Sequence, residues 1–475
     1  MTATDERTSE PDTGLKRSIT GRQLFFYTLG DVLGSGIYVL IGLVAAAVGG
    51  AFWIAFAIGV AIAAITGSAY AELVTKYPRA AGAALYVNKA FGSKALAFLV
   101  TVSFLSASFA AAGSLASGFA QYFAELWPGP PSLLVMLVFL AVLSVVNFIG
   151  ITESVVVNMV MAFVEIAGLL IIMVCGIWFV GQGDAHFGTL LDFSTDGNPA
   201  LAVLAGVALS FFAMTGFENT ANVAEETVDP QRSFPRALIG GMLVAGAVYV
   251  LVSVTAALTV DTSTLAGSDA ALLEVVKEGI LPLPTGFMTN LFAVIAMIAI
   301  TNTTLVAVVT QPRILYGMAN EDVVPSVFGR LHAGRRSPWV GLLFSGAVVA
   351  ALVVVGTALT EAGSGLDLVA RLATVTVLFL LFIYALVIIS ALKLRGQDED
   401  ECTFHASTPL LVLGLVGNVA ILCWSVYDDP TSLLWCAGLV AVGVVLFVVE
   451  RVFGDREGGD VDRTGPAPDG VTSAP

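Results

Sequence analysis

This chain is short of charge: Asp, Glu, Lys and Arg make up 12% of its 475 residues, where an ordinary soluble domain carries roughly a quarter. With 57% hydrophobic residues and a mean hydropathy of +0.91, that shortage excludes a soluble globular protein and points to one that lives in lipid. Basic residues are scarcer than acidic ones, 21 against 36, for a formal net charge of -15. The balance argues against a nucleic acid partner. Six Lys against fifteen Arg, together with acidic stretches such as Asp184 to Asp196, Asp261 to Glu278 and Asp398 to Glu401, suggest a high-salt habitat where dense carboxylates keep surfaces hydrated.

Cysteine and histidine are scarce too. Of four cysteines, Cys175, Cys423 and Cys436 fall inside apolar runs and Cys402 in a loop, which excludes a disulfide framework. His186, His332 and His405 lie far apart in loops, without a second ligand at a metal-binding spacing. No metal or organic cofactor is expected, only a proton or a sodium ion as a coupling ion. The pattern G-x-x-x-x-G-K-[ST] is absent, which excludes ATP-driven pumping. The opening residues Met1 to Thr20 lack the apolar core and cleavage site of a secretory signal, so the first apolar run is expected to be retained.

What the chain has is membrane-length apolar sequence. Runs of about 20 residues, the length that crosses a hydrocarbon core, begin near Gln23, Ala51, Ser93, Ser132, Thr152, Pro199, Ala237, Gly286, Pro338, Asp367, Thr408 and Thr431. These predict an all-α integral membrane protein of twelve spans. All Lys and Arg except Lys277 and Arg371 fall in the tails or in the loops after spans 2, 6, 8 and 10. The positive-inside rule therefore places those loops and both termini in the cytoplasm of a cell-membrane protein. The expected divisions are a cytoplasmic tail over 1–21, a ten-span core over 22–395, spans 11 and 12 over 408–453, and a disordered cytoplasmic tail over 454–475. A Gly/Ala-rich re-entry is expected over Ala80 to Gly92, and a short amphipathic helix over Arg313 to Asn320 followed by a turn at Pro325.

Two of the spans are interrupted near their middle, at Gly34-Ser35-Gly36 in the first and Thr215-Gly216-Phe217 in the sixth. A break at mid-depth survives only where the freed backbone faces protein, water or a ligand. Breaks in corresponding positions of two halves aim opposite dipole ends at one cavity. Each five-span set starts with a broken member and contains an odd number of spans, so the second set lies inverted relative to the first. Uncovered amides after the first break suit a carboxylate. Carbonyls ending the first half of span 6 suit an ammonium, and Phe212 is the aromatic expected to cover the pocket. For the first cluster, a small-residue packing face of the G-x-x-x-G type is the competing reading.

Four stretches carry a resemblance that extends over about Gly21 to Ser390. They are Gly34-Ser35-Gly36-Ile37-Tyr38; Tyr70-Ala71-Glu72-Leu73 with Pro78 and Gly82; Phe212-Ala213 through Gly216-Phe217-Glu218 with Ala224-Glu225-Glu226 and Pro230; and Gln311-Pro312-Arg313-Ile314-Leu315-Tyr316-Gly317-Met318-Ala319. In this order and spacing the chain resembles the amino acid/polyamine/organocation (APC) transporters. The resemblance implies a five-plus-five inverted repeat of the LeuT type with spans 1 and 6 broken, and amino acid transport by alternating access. It also implies that the amides of Ser35 and Gly36 hold the substrate carboxylate and that the carbonyls of Val32, Phe212, Ala213 and Thr215 hold its amine. Ile37 and Met214 complete the expected substrate site, and Met214 with Thr215 leaves the pocket neutral at the break.

Glu165 in span 5 departs from the pattern. Counting on from Gly150, with Asn158 in register, it stands where many proton-coupled relatives resembling this chain have a lysine. A lone carboxylate there costs several kcal/mol if charged in lipid. Three roles compete: a proton carrier, which is favoured; a sodium ligand helped by Thr303 or Thr304 of span 8; and a structural hydrogen bond within the bundle. Asp31 and Glu218 also lie within spans. Asp31 either lines the cytoplasmic approach or caps the inner half-helix, and Glu218 is a proton-sensitive group or a complement to a half-helix dipole.

Glu72, Arg79, Glu225, Glu226, Arg232, Arg236 and Arg313 are expected in ion pairs that close the inner gate or set orientation, and Arg371 is expected to snorkel toward the outer interface. The expected partners are an amino acid substrate and the lipid bilayer, with spans 11 and 12 offering a lipid or dimer surface to a monomer or homodimer. The function expected is proton-coupled amino acid uptake. The alternatives are amino acid or amine exchange, sodium symport and, from other classes, a non-transporting nutrient sensor or an intramembrane enzyme. An enzyme would need a nucleophile with a base, or a metal, at mid-depth, and no His lies in a span.

Overall fold

A computed structural model of the chain describes residues 19–453 apart from 80–81, 150–154, 184, 186, 194–197, 321–322, 336 and 398–402; the side chains of 155–159, 222 and 225 are also outside the description. Both tails, the Gly150 to Thr152 turn, Cys402, His186 and the side chains of Asn158 and Glu225 thus lie outside the described residues, as does the expected disorder of 454–475.

Sixteen α-helices follow one another in the described residues: α1 Gly21–Val32, α2 Gly36–Val48, α3 Trp53–Lys76, α4 Gly82–Phe91, α5 Lys94–Leu126, α6 Ser132–Ile149, α7 Val155–Gln182, α8 Pro199–Ala213, α9 Pro230–Thr259, α10 Thr262–Gly267, α11 Ala271–Lys277, α12 Thr285–Asn320, α13 Trp339–Glu361, α14 Leu368–Lys393, α15 Thr408–Asp428 and α16 Ser432–Phe453. Eleven helices or helix runs are long and apolar enough to cross a membrane, and the pair α1 and α2, bent by 42° at its break, makes the twelfth span. Among the described residues the only β feature is an isolated bridge between Ile19 and Thr227.

Local chemistry starts and stops these helices. Thr20 and Gln23 form a reciprocal capping box at the head of α1. Asn198 caps α8 by accepting from the Ala200 amide, with Pro199 at the first helical position. The sixth span does not resume as an α-helix after its break. Phe217–Glu226 is a 3-10 helix, where a second α-helical half was expected. Its short polar residues Asn219 and Thr220 compete locally for backbone groups, and the Asn219 amide donates to the Gly216 carbonyl at 2.8 Å, which starts the tighter winding. Arg313 to Asn320 is likewise no separate helix: α12 runs unbroken through Pro312 to Asn320. The re-entry over Ala80 to Gly92 contains α4, and the acidic loop over Asp261 to Glu278 contains α10 and α11.

The two five-span sets interlock as counterparts. α2 packs on α8, α3 on α9, α5 on α12 and α6 on α13, so spans 1 to 4 each lie against the matching span of the inverted set. α15 packs along α14 and α3 at the edge of this core, and α16 touches α14 and α5. The face on which the described chain begins and ends is called the near face below, and the opposite one the far face. α10 and α11 lie on the far face against α2, where a side chain at Gly42 would meet the Leu265 and Ser268 carbonyl oxygens.

Candidate substrate site at the paired helix breaks

The breaks meet through bare backbone. A Cβ on Gly36 would lie 2.5 Å from the Ala213 Cα, and one on Gly216 would lie 2.7 Å from the Asp31 carbonyl oxygen. Gly216 also has φ +115, a conformation that L side chains rarely adopt. Each break therefore needs its glycine to admit the other chain.

Tyrosine hydroxyls and a threonine satisfy much of the freed backbone. Tyr249 of α9 donates to the carbonyls of Val32 at 2.8 Å and Gly34 at 3.1 Å. Tyr122 of α5 donates to the Tyr38 carbonyl at 2.9 Å, and Tyr38 to the Glu165 carbonyl at 2.8 Å. The Ser35 amide donates to Thr303 Oγ1 at 3.1 Å. On the second break, the Phe212 carbonyl accepts from the Thr215 hydroxyl at 2.8 Å and from the Thr215 amide at 3.2 Å.

A cavity of about 80 Å³ lies at this junction, lined by Asp31, Gly36, Phe212, Thr215, Glu218 and Thr303 among others. Phe104, Glu218, Asn219, Val306 and Thr310 also line a vestibule of about 450 Å³ that runs past Tyr27 and Thr101 to Glu226 and Arg313 on the near face. The central cavity thus opens to one side. Toward the far face the Gly36 and Ala213 contact closes the seam, and Lys277 of α11 joins Glu125 of α5 at 2.8 Å and Glu274 at 3.1 Å. Burial lowers the Lys277 pKa, but its two carboxylate partners outweigh that and hold it above the usual range.

Half of the eight expected substrate residues line this cavity. Gly36, Phe212, Ala213 and Thr215 line the cavity, and Phe212 is only 5% exposed. The side chains of Val32, Ile37 and Met214 are buried in the core instead. The Ser35 amide, expected to be open to a carboxylate, donates to Thr303 here, and the Val32 carbonyl, expected to hold an amine, accepts from Tyr249 with one of its two lone pairs. Thr304 is fully buried and donates to its own helix at Ile300.

Glu165 sits behind the first break. On its helix, Ala162 faces Gly30 and Gly168 faces the Tyr38 hydroxyl and Ile295, so the same face of α7 carries Glu165 against the unwound segment. Its side chain is 0% exposed, and neither carboxyl oxygen has a hydrogen-bond partner among the described residues. The reading as a structural hydrogen bond finds no donor there. Glu218, by contrast, accepts from the Gly216 amide at 3.0 Å and the Tyr384 hydroxyl at 2.7 Å, inside a cage of Tyr70, Phe217 and Tyr384 rings.

Glu72 forms an ion pair, as expected, and its partner is Arg395 just past the end of α14. Arg371 pairs with Asp429 at 2.5 Å and also donates to Ser432 at 3.0 Å, under the α15 to α16 turn on the far face. The residues that sequence reasoning passed over are Tyr122, Tyr249, Tyr384 and Arg395. Their one signal was a polar group inside, or at the end of, an apolar run.

The family model described as amino acid permease matches residues 19–454. Among similar proteins, the chloroplastic cationic amino acid transporter 9 of Arabidopsis thaliana is 28% identical over 65% of this chain; the match spans 56% of that relative's length. The methylthioribose transporter of Bacillus subtilis is 23% identical over 91% of this chain and 93% of its own. A manganese transporter of Eremococcus coleocola, solved with an aromatic bis-isothiourea compound, superposes with a TM-score of 0.55 over 93% of this chain and 98% of its own, at 13% identity, a likeness of fold alone.

Proposed function

The chain belongs to the amino acid permease family, and from that premise we propose that it is a secondary active amino acid transporter working by alternating access, with uptake coupled to protons. The observation that carries this reading is the cavity at the two breaks, open to the near face and shut toward the far one. With the near face cytoplasmic, a placement the distribution of Lys and Arg supports, this is the inward-facing half of the cycle in the cell membrane. Phe212 covers the substrate, the first-turn backbone of α2 faces its carboxylate, and the near-face vestibule is its exit. The relatives named above are transporters with different cargoes, so the family directs this chain away from enzymatic work without naming its substrate.

Glu165 is the coupling residue in this reading. A sealed carboxyl without a donor is costly as a bare anion at mid-depth, and taking up a proton removes that cost. A sodium ion bound between Glu165 and the hydroxyl of Thr303 is the second reading, favoured by the close approach of Thr303 to Gly34 and Ser35.

Purified protein in liposomes, loaded with separately imposed proton and sodium gradients, tests both readings. Labelled leucine, threonine, lysine and glutamate serve as the substrate panel. A proton gradient alone should drive accumulation of at least one of them. Accumulation driven by sodium alone would transfer the coupling role to the cation, and no uptake under any gradient would defeat the transport reading.

A further inference from the structure

Asp31 is the ionisable group at the central cavity whose position the substrate reading has not used. Its carboxyl carbon would lie 3.4 Å from a Cβ on Gly216, so the missing side chain at the second break leaves room for the Asp31 carboxyl beside it. Asn219 lines the same cavity beside Asp31, while Asp31 Oδ2 is sealed from solvent and has no partner among the described residues. Asp31 stands at the end of α1, where the helix presents its negative dipole end. Among the described residues, the only ionisable side chains lining the cavity are Asp31 and Glu218, with no Lys, Arg or His. Glu218 is already engaged by the Gly216 amide and Tyr384. Of the four carbonyls expected to hold the amine, those of Val32 and Phe212 already accept hydrogen bonds of the protein's own.

We propose that the Asp31 carboxylate, rather than main-chain carbonyl oxygen, takes the ammonium group of the substrate, and that the site selects amines of zero or positive net charge over acidic amino acids. An ammonium brought to Oδ2 makes a charge-assisted hydrogen bond, shorter and about twice as strong as a neutral one. It also neutralises a carboxylate that lipid and a helix C-terminus both disfavour. Acidic substrates meet two carboxylates and no cationic side chain. This inference rests on the transport reading above and refines the chemistry of the same cavity. The charged groups around Asp31 are Glu218 from the facing break and Glu165 from α7, the latter outside the cavity lining.

The test uses full-length protein in liposomes and whichever of labelled leucine, threonine, lysine and glutamate the parent takes up. Asp31→Asn should raise KM by about tenfold or more, the scale of a lost charged hydrogen bond. Asp31→Glu should recover part of the affinity. An unchanged KM in Asp31→Asn, or a flattened pH profile with KM intact, overturns the assignment; the second outcome would place Asp31 in proton traffic. A second arm needs no variant and uses the parent alone. A decarboxylated analogue of the transported amino acid, such as isoamylamine for leucine, should compete better than the deaminated one, 4-methylpentanoate. The reverse order overturns the proposal, as does preferred uptake of glutamate. A parent that takes up none of the four amino acids defeats the transport reading, an outcome distinct from the others.

Discussion

Arg395 grips Glu72 through two parallel hydrogen bonds, Nε to Oε1 at 3.0 Å and Nη2 to Oε2 at 2.9 Å. The Ala406 amide adds a third contact to Oε2 at 2.9 Å. One carboxylate near the end of α3 thereby fastens both the end of α14 and the strand of chain leading into α15. Glu72 is 2% exposed, so this fork is shielded from the solvent that weakens surface pairs.

Arg395→Ala should therefore destabilise the protein by about 3 kcal/mol, because it takes the bidentate cation from a buried carboxylate and leaves it only the Ala406 amide and His405. Glu72→Gln paired with Arg395→Ala should recover part of that loss. Thermal unfolding of the single and double variants in detergent checks it; additive losses would mean that the two side chains act independently.

Gly36→Ala should stop transport. The added Cβ falls 2.5 Å from the Ala213 Cα, an overlap on the scale of roughly 1–3 kcal/mol of overpacking at the point where the breaks meet. Gly286→Ala, at a position with no atom within 4 Å, is the matched control and should keep parental uptake. Initial rates in liposomes at equal reconstituted protein decide the comparison.

Glu165→Gln should flatten the pH dependence of uptake while leaving substrate binding intact, since the amide cannot exchange a proton. Uptake measured across a range of external pH, together with binding by isothermal titration, separates the two effects. A pH profile identical to the parent's would reduce Glu165 to a packing residue.

Asp429 gives a pH effect of known sign outside the membrane spans. Burial pushes its carboxyl up, but hydrogen bonds from Ser432, Thr431 and Arg371 outweigh that and hold it below the usual range. A depressed folded pKa contributes stability that is full above the unfolded value, about 3.9, and is lost as pH falls through the folded one. Asp429→Asn should thus lower the melting temperature near pH 7, and the gap to the parent should close under acid. A gap that persists at the lowest pH reached would mean that the loss is not electrostatic.

The spans and both breaks were legible in the sequence because lipid imposes blunt rules: a run must be long and apolar, and a Gly34-Ser35-Gly36 cluster inside one has few innocent explanations. Glu165 stood out for the same reason. The partners of the breaks were not legible. Tyr249, Tyr122 and Tyr384 read as ordinary aromatic core, and only the fold shows that the first reaches the break at Val32 and Gly34, the second the Tyr38 carbonyl in the first turn of α2, and the third Glu218. The Ser35 amide looked free because Thr303 lies 268 residues away in sequence. The 3-10 winding of Phe217–Glu226 depends on single hydrogen bonds that no periodicity reports, and the grip of Arg395 on Glu72 joins residues 323 apart.

The seam where Gly36 rests on Ala213 has a consequence for how such a carrier diversifies. Because the two segments touch without intervening side chains, that contact has no room to vary. Variation is instead open to the surrounding walls, at positions such as Phe104, Leu115 and Leu380, where a methyl group gained or lost reshapes the chamber and leaves the backbone contact alone.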